Sequence, residues 1–318
     1  MDGLLDRVAT ESLVLRSVGD GTAQRTLKTA IGCVGIGLHL GCRVNVTLRP
    51  APAGTGVVFH RADLGLHIPA RFDCVGDTRL STVLACPDQP EVRVGTVEHL
   101  MAALAACGVN NVVVDVDGPE LPVLDGSSAP WVFLIDCAGV MALDTAARAV
   151  RVLRTVRVED GDAFAELRPG AVPCLDMALS IDFDAPAIGR QALTFTLDEA
   201  AFRTELSAAR TFAQAHEIAG LRAAGLAKGG SLDNAVVVDG ACVLNPAGLR
   251  RPDDFVRHKM LDAVGDLALA GAALHGRFTG HRSGHALNNR LLRALFADSA
   301  NWCEAETDSM ADWTRAAA

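Results

Sequence analysis

With 318 residues, half of them hydrophobic, the chain holds enough apolar material for two domain cores. Its net charge of −9 leaves no basic stripe for a nucleic-acid partner, so none is expected. No apolar run reaches the roughly 18 residues of a membrane span, and Asp2, Asp6, Arg7 and Glu11 interrupt the start where a signal peptide would be apolar.

The predicted elements of the first half are mostly strands from Thr26 onward, with residues 44–48 alternating and 57–59 as a short apolar run. A helix follows at 96–106, where Val97, Leu100, Met101 and Leu104 form an i, i+3, i+4, i+7 stripe. Thr96 stands as its N-cap. Glu98 and His99 fall off that stripe in the first turn, where the helix dipole alone would also explain a Glu. Residues 111–116 read as a buried strand. A Pro/Gly/Ser-rich turn at 118–130 leads into an apolar helix from Trp131, and 144–150 reads as the boundary between halves.

In the second half, strands are predicted at 156–158, 164–167, 175–183 and 192–197, a helix at 197–209 and a strand at 236–238. Next comes the most informative stretch, His258-Lys259-Met260-Leu261-Asp262. At about 100° per residue, His258, Lys259, Asp262 and Asp266 share one arc of the helix. Val256, Met260, Val264 and Leu267 take the opposite one. One face suits a core, and the other carries an imidazole and a carboxylate four residues apart, able to meet one ion. Taken alone, that spacing also fits a solvated polar face. The last helix starts near Ala286, after the glycine-punctuated turn 280–284. There His285 follows a cap read at Ser283, beside the free N–H groups of a helix start.

Together these segments offer two imidazoles and a carboxylate as metal ligands, plus a Glu and another His for proton transfer. Three protein ligands with one open position is the pattern of a catalytic zinc site. Neither His-Glu-x-x-His nor Cys-x-x-Cys is present. Nine cysteines without regular spacing fit reduced thiols rather than a disulfide framework, and the protein is expected in the cytoplasm. Strand-rich stretches followed by helices give an α+β class rather than alternating βαβ units.

The segments TVEHLMAAL, FVRHKMLDAVGDL and SGHALNN, with ARTF, GGSLDNAVV and GPELPVLDGSSAP between them, resemble the UDP-3-O-acyl-N-acetylglucosamine deacetylases. These are zinc amidases of bacterial lipid A biosynthesis. The resemblance runs from about Gln24 to about Trp302. It implies zinc ligands at His99, His258 and Asp262, with Fe2+ as an alternative metal suited to the same donors. It implies a general base at Glu98, a second catalytic imidazole at His285, and an oxyanion-holding hydroxyl at Thr211. Lys259 and Asp266 are expected to support His285 and contact substrate.

The resemblance further implies two similarly folded two-layer α/β-sandwich domains, their helices packed between the sheets and the active site at the interface. Domain I would span 22–147 and domain II 148–300. Residues 1–21 would form a disordered N-terminal extension and 301–318 a tail. An insert at about 213–240 would line an apolar passage for the substrate's acyl chain, with Leu38, His39, Phe212 and Gly230 on its walls. Phe183 suits either a uracil ring or the core, and Arg282 either the diphosphate or open surface. The expected partner is a small-molecule acylated UDP-sugar, acted on by a monomer. A related amidohydrolase acting on a non-acylated amino sugar stays open as the alternative.

Overall fold

The computed structural model describes residues 23–306. The N-terminal extension read at 1–21 and the tail beyond 306 lie outside the described residues. The architecture is mixed α/β, with several sheets and six α-helices among the described residues: α1 (Glu98–Ala106), α2 (Ala129–Ala138), α3 (Glu199–Ala201), α4 (Ala215–Ala223), α5 (Asp254–Ala268) and α6 (His285–Phe296).

The first half centres on a five-stranded sheet. Its spatial order is Ile31–Ile36, Arg43–Pro50, Val112–Val116, Val57–Arg61 and Leu66–Pro69. The alternation read at 44–48 has a direct structural counterpart. Val44, Val46 and Leu48 are buried on one face, where Phe59, Ile68, Val112, Val114 and Val116 join them. Pairing is antiparallel along most of the sheet, with one parallel pair between Val57–Arg61 and Val112–Val116.

The second half is built on a seven-stranded sheet, in which Ala273–His281 pairs with Arg148–Val152, Ala163–Arg168 and Leu175–Asp182. That strand is not predicted from sequence. It carries Gly276 and Gly280, the second read as the start of a turn, and both are demanded by close packing. A β-carbon on Gly276 would lie 2.8 Å from the Arg168 main-chain oxygen, and one on Gly280 2.6 Å from a Leu179 methyl.

Two other readings change. The stretch 144–150, read as the boundary between halves, is itself built of strands rather than irregular. Val140–Ala146 is a strand paired with Ala23–Leu27, and Arg148–Val152 a strand of the large sheet, so the chain changes sheets at residue 147. The helix read at 197–209 starts as α3 and continues as a π-turn over Phe202–Leu206, which buries Phe202 and Leu206.

α1 and α5 pack against each other within one continuous hydrophobic core that takes residues from both halves. Over the motif α5 is enclosed by protein, with Lys259 partly exposed. Val256, Met260, Val264 and Leu267 are buried, and so are His258, Asp262 and Asp266. The ionisable arc therefore faces protein, which removes the solvated-face reading. No helix among the described residues is long and apolar enough to cross a membrane. All nine cysteines are free thiols.

Candidate metal centre

The first turn of α1 carries Glu98 and His99. Leu100, Met101 and Leu104 anchor the helix in the core. The helix starts one residue later than the sequence indicates, with Val97 at the N-cap. Thr96 does not cap it, because it adopts a left-handed conformation (φ 56°) and its hydroxyl donates to Glu120 Oε1 at 3.2 Å. The left-handed residue stands directly before the turn of α1 that packs near α5. Arg282 (φ 50°) is likewise left-handed before α6, where Gly284 rather than Ser283 occupies the cap. Non-glycine residues in this region cost energy and tend to mark functional sites.

His99, His258 and Asp262 offer ligand atoms that all lie within 4.8 Å of one another, and the three residues are buried. Nε2 of His258 stands 3.3 Å from Asp262 Oδ1, and Nε2 of His99 stands 3.6 Å from the same oxygen. The second distance is too long for a hydrogen bond, and Asp262 Oδ1 has no hydrogen-bond partner. His258 Nδ1 lies 3.1 Å from the Ala209 carbonyl oxygen. That contact fixes the proton on Nδ1 and turns the Nε2 lone pair toward the cluster. Ser128 donates its hydroxyl to the His99 carbonyl at 2.8 Å and steadies the turn.

Buried acceptors without donors are costly, and a cation among them removes the cost. Two imidazole nitrogens and one carboxylate oxygen suit zinc, with a position left open. Electrostatics agree with that fit. Burial pushes the His258 imidazole down to about 3, so it is neutral and free to ligate. Burial works against the Asp262 carboxylate, but its neighbours, Lys259 among them, outweigh it and hold Asp262 well below its ordinary value. His99 is raised, because Asp262 and Glu98 outweigh its desolvation. A cation in the cluster would oppose that rise.

Around the ligands sits a second set of groups. Burial raises the Glu98 carboxyl, and Glu98 Oε2 accepts the Thr82 main-chain N–H at 3.0 Å. His285 Nδ1 lies 2.9 Å from Asp266 Oδ2. Burial alone would lower the His285 imidazole, but Asp266 outweighs burial and lifts it to about 9. Asp266 also accepts from the Thr82 hydroxyl at 2.6 Å and from Asn288 Nδ2 at 2.8 Å. Lys259 differs from expectation. Its Nζ donates to Asp262 Oδ2 at 2.9 Å rather than joining Asp266 in holding His285.

Of the remaining predicted residues, Phe212 reaches the cluster. Phe212 stands edge-on to His258 at 6.2 Å between ring centres and also contacts Phe255 and Phe183, which places Phe183 in an aromatic cluster. Thr211 precedes Phe212, its main chain pinned to Gly126 and Val236. The loop holding Leu38 and His39 pairs with the segment 228–229 through Lys228 N to His39 O and Gly229 N to Leu38 O. Both His39 ring nitrogens are buried without a partner. Gly230 faces a Leu38 methyl. Arg282 is fixed by its main chain to Ser180. A cavity of about 730 Å3 lies beyond the C-terminal ends of α1 and α5, lined by Leu104, Leu267 and Trp302 among others. None of the predicted ligand, catalytic or substrate-binding residues lines it.

Thr82, Asn288, Glu120 and Gly265 escape sequence reasoning. Asn288 sits inside SGHALNN, but no spacing rule assigns it a role. Glu120 receives the main-chain N–H groups of His39 and Leu40 across the chain.

Residues 24–297 match the family described as LpxC, UDP-3-O-acyl N-acetylglycosamine deacetylase. The chain is 50% identical over 283 residues to the UDP-3-O-acyl-N-acetylglucosamine deacetylase of Idiomarina loihiensis. It is 49% identical over 283 residues to the protein of that name from Acidithiobacillus ferrooxidans. Each alignment covers 88% of this chain and 91% of the relative.

Proposed function

The chain belongs to the UDP-3-O-acyl N-acetylglycosamine deacetylase family, and on that premise we propose that it hydrolyses UDP-3-O-acyl-N-acetylglucosamine. Water and the N-acetyl amide give acetate and UDP-3-O-acyl-glucosamine, the committed step of lipid A biosynthesis. The observation that carries this reading is the convergence of His99, His258 and Asp262 beside a buried carboxyl and an imidazole–carboxylate pair.

His99, His258 and Asp262 would hold zinc, or Fe2+, which suits the same donors. When bound, zinc supplies a Lewis acid for the amide carbonyl and makes water more acidic. Glu98 takes the proton of the attacking water, a task helped by the raised basicity that burial gives it. His285, lifted to about 9 by Asp266, carries a proton at neutral pH. It therefore offsets charge on the tetrahedral oxyanion and can deliver a proton to the leaving nitrogen. Thr211 donates its hydroxyl to the same oxyanion. Lys259 orients Asp262 and offers positive charge to the substrate.

The acyl chain lies along Leu38, His39, Phe212 and Gly230, at about 0.8 kcal/mol per buried CH2. Arg282 meets the diphosphate, and Phe183 lies near the uracil end. Residues 22–147 and 148–300 act as two similarly folded two-layer sandwiches with the site between them, in a cytoplasmic monomer. Amine release from the acylated UDP-sugar, with and without chelator, tests the reading. Chelator-sensitive release is expected. Equal rates on UDP-N-acetylglucosamine would replace it with an amidohydrolase that ignores the acyl chain.

A further inference from the structure

Thr82 is buried and precedes the short strand Val83–Ala85. Two residues earlier, Leu80 is left-handed (φ 68°), which turns the chain inward. All three polar atoms of Thr82 are committed. Its N–H donates to Glu98 Oε2 at 3.0 Å, and its hydroxyl donates to Asp266 Oδ1 at 2.6 Å. Its carbonyl accepts from Val97 N–H at 3.3 Å, at the cap of α1. A carboxylate only accepts, so the Thr82 hydroxyl proton must point at Asp266. Asn288 supplies a second neutral donor on the other oxygen.

Resting on the deacetylase reading, we infer that Thr82 is a positioning residue. It holds the Glu98 carboxylate and the Asp266–His285 pair in one frame, and its hydroxyl keeps their shared proton on His285 rather than on Asp266. In a buried imidazole–carboxylate pair, desolvation favours the neutral arrangement, with the proton on the carboxyl. Neutral donors to the carboxylate stabilise its ionised form. They reverse that preference without adding charge near the ligands. The charged groups that act on His285 are Asp266, which it contacts, and, through space, Lys259 of α5, Glu98 and His99 of α1, Asp262, and His39 from the loop after Ile31–Ile36. Thr82→Val leaves all of them in place and keeps the main-chain N–H on Glu98.

The test compares Thr82→Val and Thr82→Ser in zinc-loaded full-length protein. Its two readouts are kinetics on the acylated UDP-sugar and NMR of the histidine ring N–H protons. Thr82→Val is expected to lose about tenfold in kcat, on the scale of one charge-assisted hydrogen bond, with KM and zinc content unchanged. Its His285 Nδ1 proton signal moves. Thr82→Ser stays within about twofold of wild type and keeps the wild-type signal. An unchanged kcat and unchanged signal in Thr82→Val overturn the inference. So does a Thr82→Ser variant as impaired as Thr82→Val, since the methyl group would then be what matters. A wild-type protein inert on the acylated UDP-sugar sinks the deacetylase reading instead. The NMR comparison still decides on Thr82 in that case, because it needs no substrate.

Discussion

Gly265 of α5 stands against the main-chain carbonyl of Glu98, so close that a β-carbon on it would collide with that oxygen. The contact lets α1 and α5 approach until His99 reaches Asp262 and Glu98 reaches the neighbourhood of Asp266. Gly265→Ala is expected to push the helices apart, costing on the order of 1–3 kcal/mol in stability together with bound metal. Thermal unfolding and metal analysis of the variant check this. A wild-type melting temperature and full metal content would mean the helices yield without disturbing the site.

His99→Ala, His258→Ala and Asp262→Ala each remove one of the three converging donors. Each is expected to lose metal and activity together. Metal content of the purified variants is the measurement. Full occupancy in Asp262→Ala would take that residue out of the ligand set.

Glu98→Ala should behave differently, because the carboxyl is not among the converging donors. The variant keeps its metal and loses roughly 10²-fold or more in kcat, the usual scale for removing a general base. A near-wild-type rate in zinc-loaded protein would disprove the base assignment.

The pH dependence follows from His285. Its imidazole is raised from an ordinary value of 6.5 to about 9 by Asp266. The stabilisation it contributes is therefore fully present below pH 6.5 and is lost as pH rises through about 9. Activity that needs the imidazolium falls over the same window, at a lower pH when a bound cation repels it. Asp266→Asn removes the main favourable partner, so the basic limb of the rate profile is expected to move to lower pH. A limb that stays put would assign it to another group.

α1 and α5 were legible because helical periodicity sorts Val97, Leu100, Met101 and Leu104, or Val256, Met260, Val264 and Leu267, from the ionisable residues between them. The ligand set followed from that sorting and from family resemblance. Thr82 was not legible. Its partner Asp266 is 184 residues away, and no local pattern marks a threonine that spends its hydroxyl at such range. The strand Ala273–His281 is hidden in the sequence for the opposite reason. Its Gly280 reads as the start of a turn until the neighbouring strands show why nothing larger fits. Thr96 reads as a cap from sequence because the preference of threonine for that position is real, while its left-handed backbone and the pull of Glu120 are tertiary.

The acyl passage gives the last prediction. A β-carbon on Gly230 would meet the Ala227 carbonyl at 3.4 Å and a Leu38 methyl at 3.6 Å, ordinary contact distances. A small side chain therefore fits there, whereas Phe must press on Leu38 or occupy the space beside it. If that space takes the acyl chain, Gly230→Phe raises KM for long-chain substrate. Turnover of a short-chain analogue changes little, and metal content stays whole, because the ligands lie on α1 and α5. In the unmodified enzyme, affinity climbs with acyl length until the passage is full. Each methylene lost or crowded beyond that point costs on the order of 1 kcal/mol. Equal impairment of both substrates by Gly230→Phe would mean the 228–230 segment supports the His39 loop rather than reading the lipid. Kinetics indifferent to acyl length in the wild-type protein would remove the passage altogether.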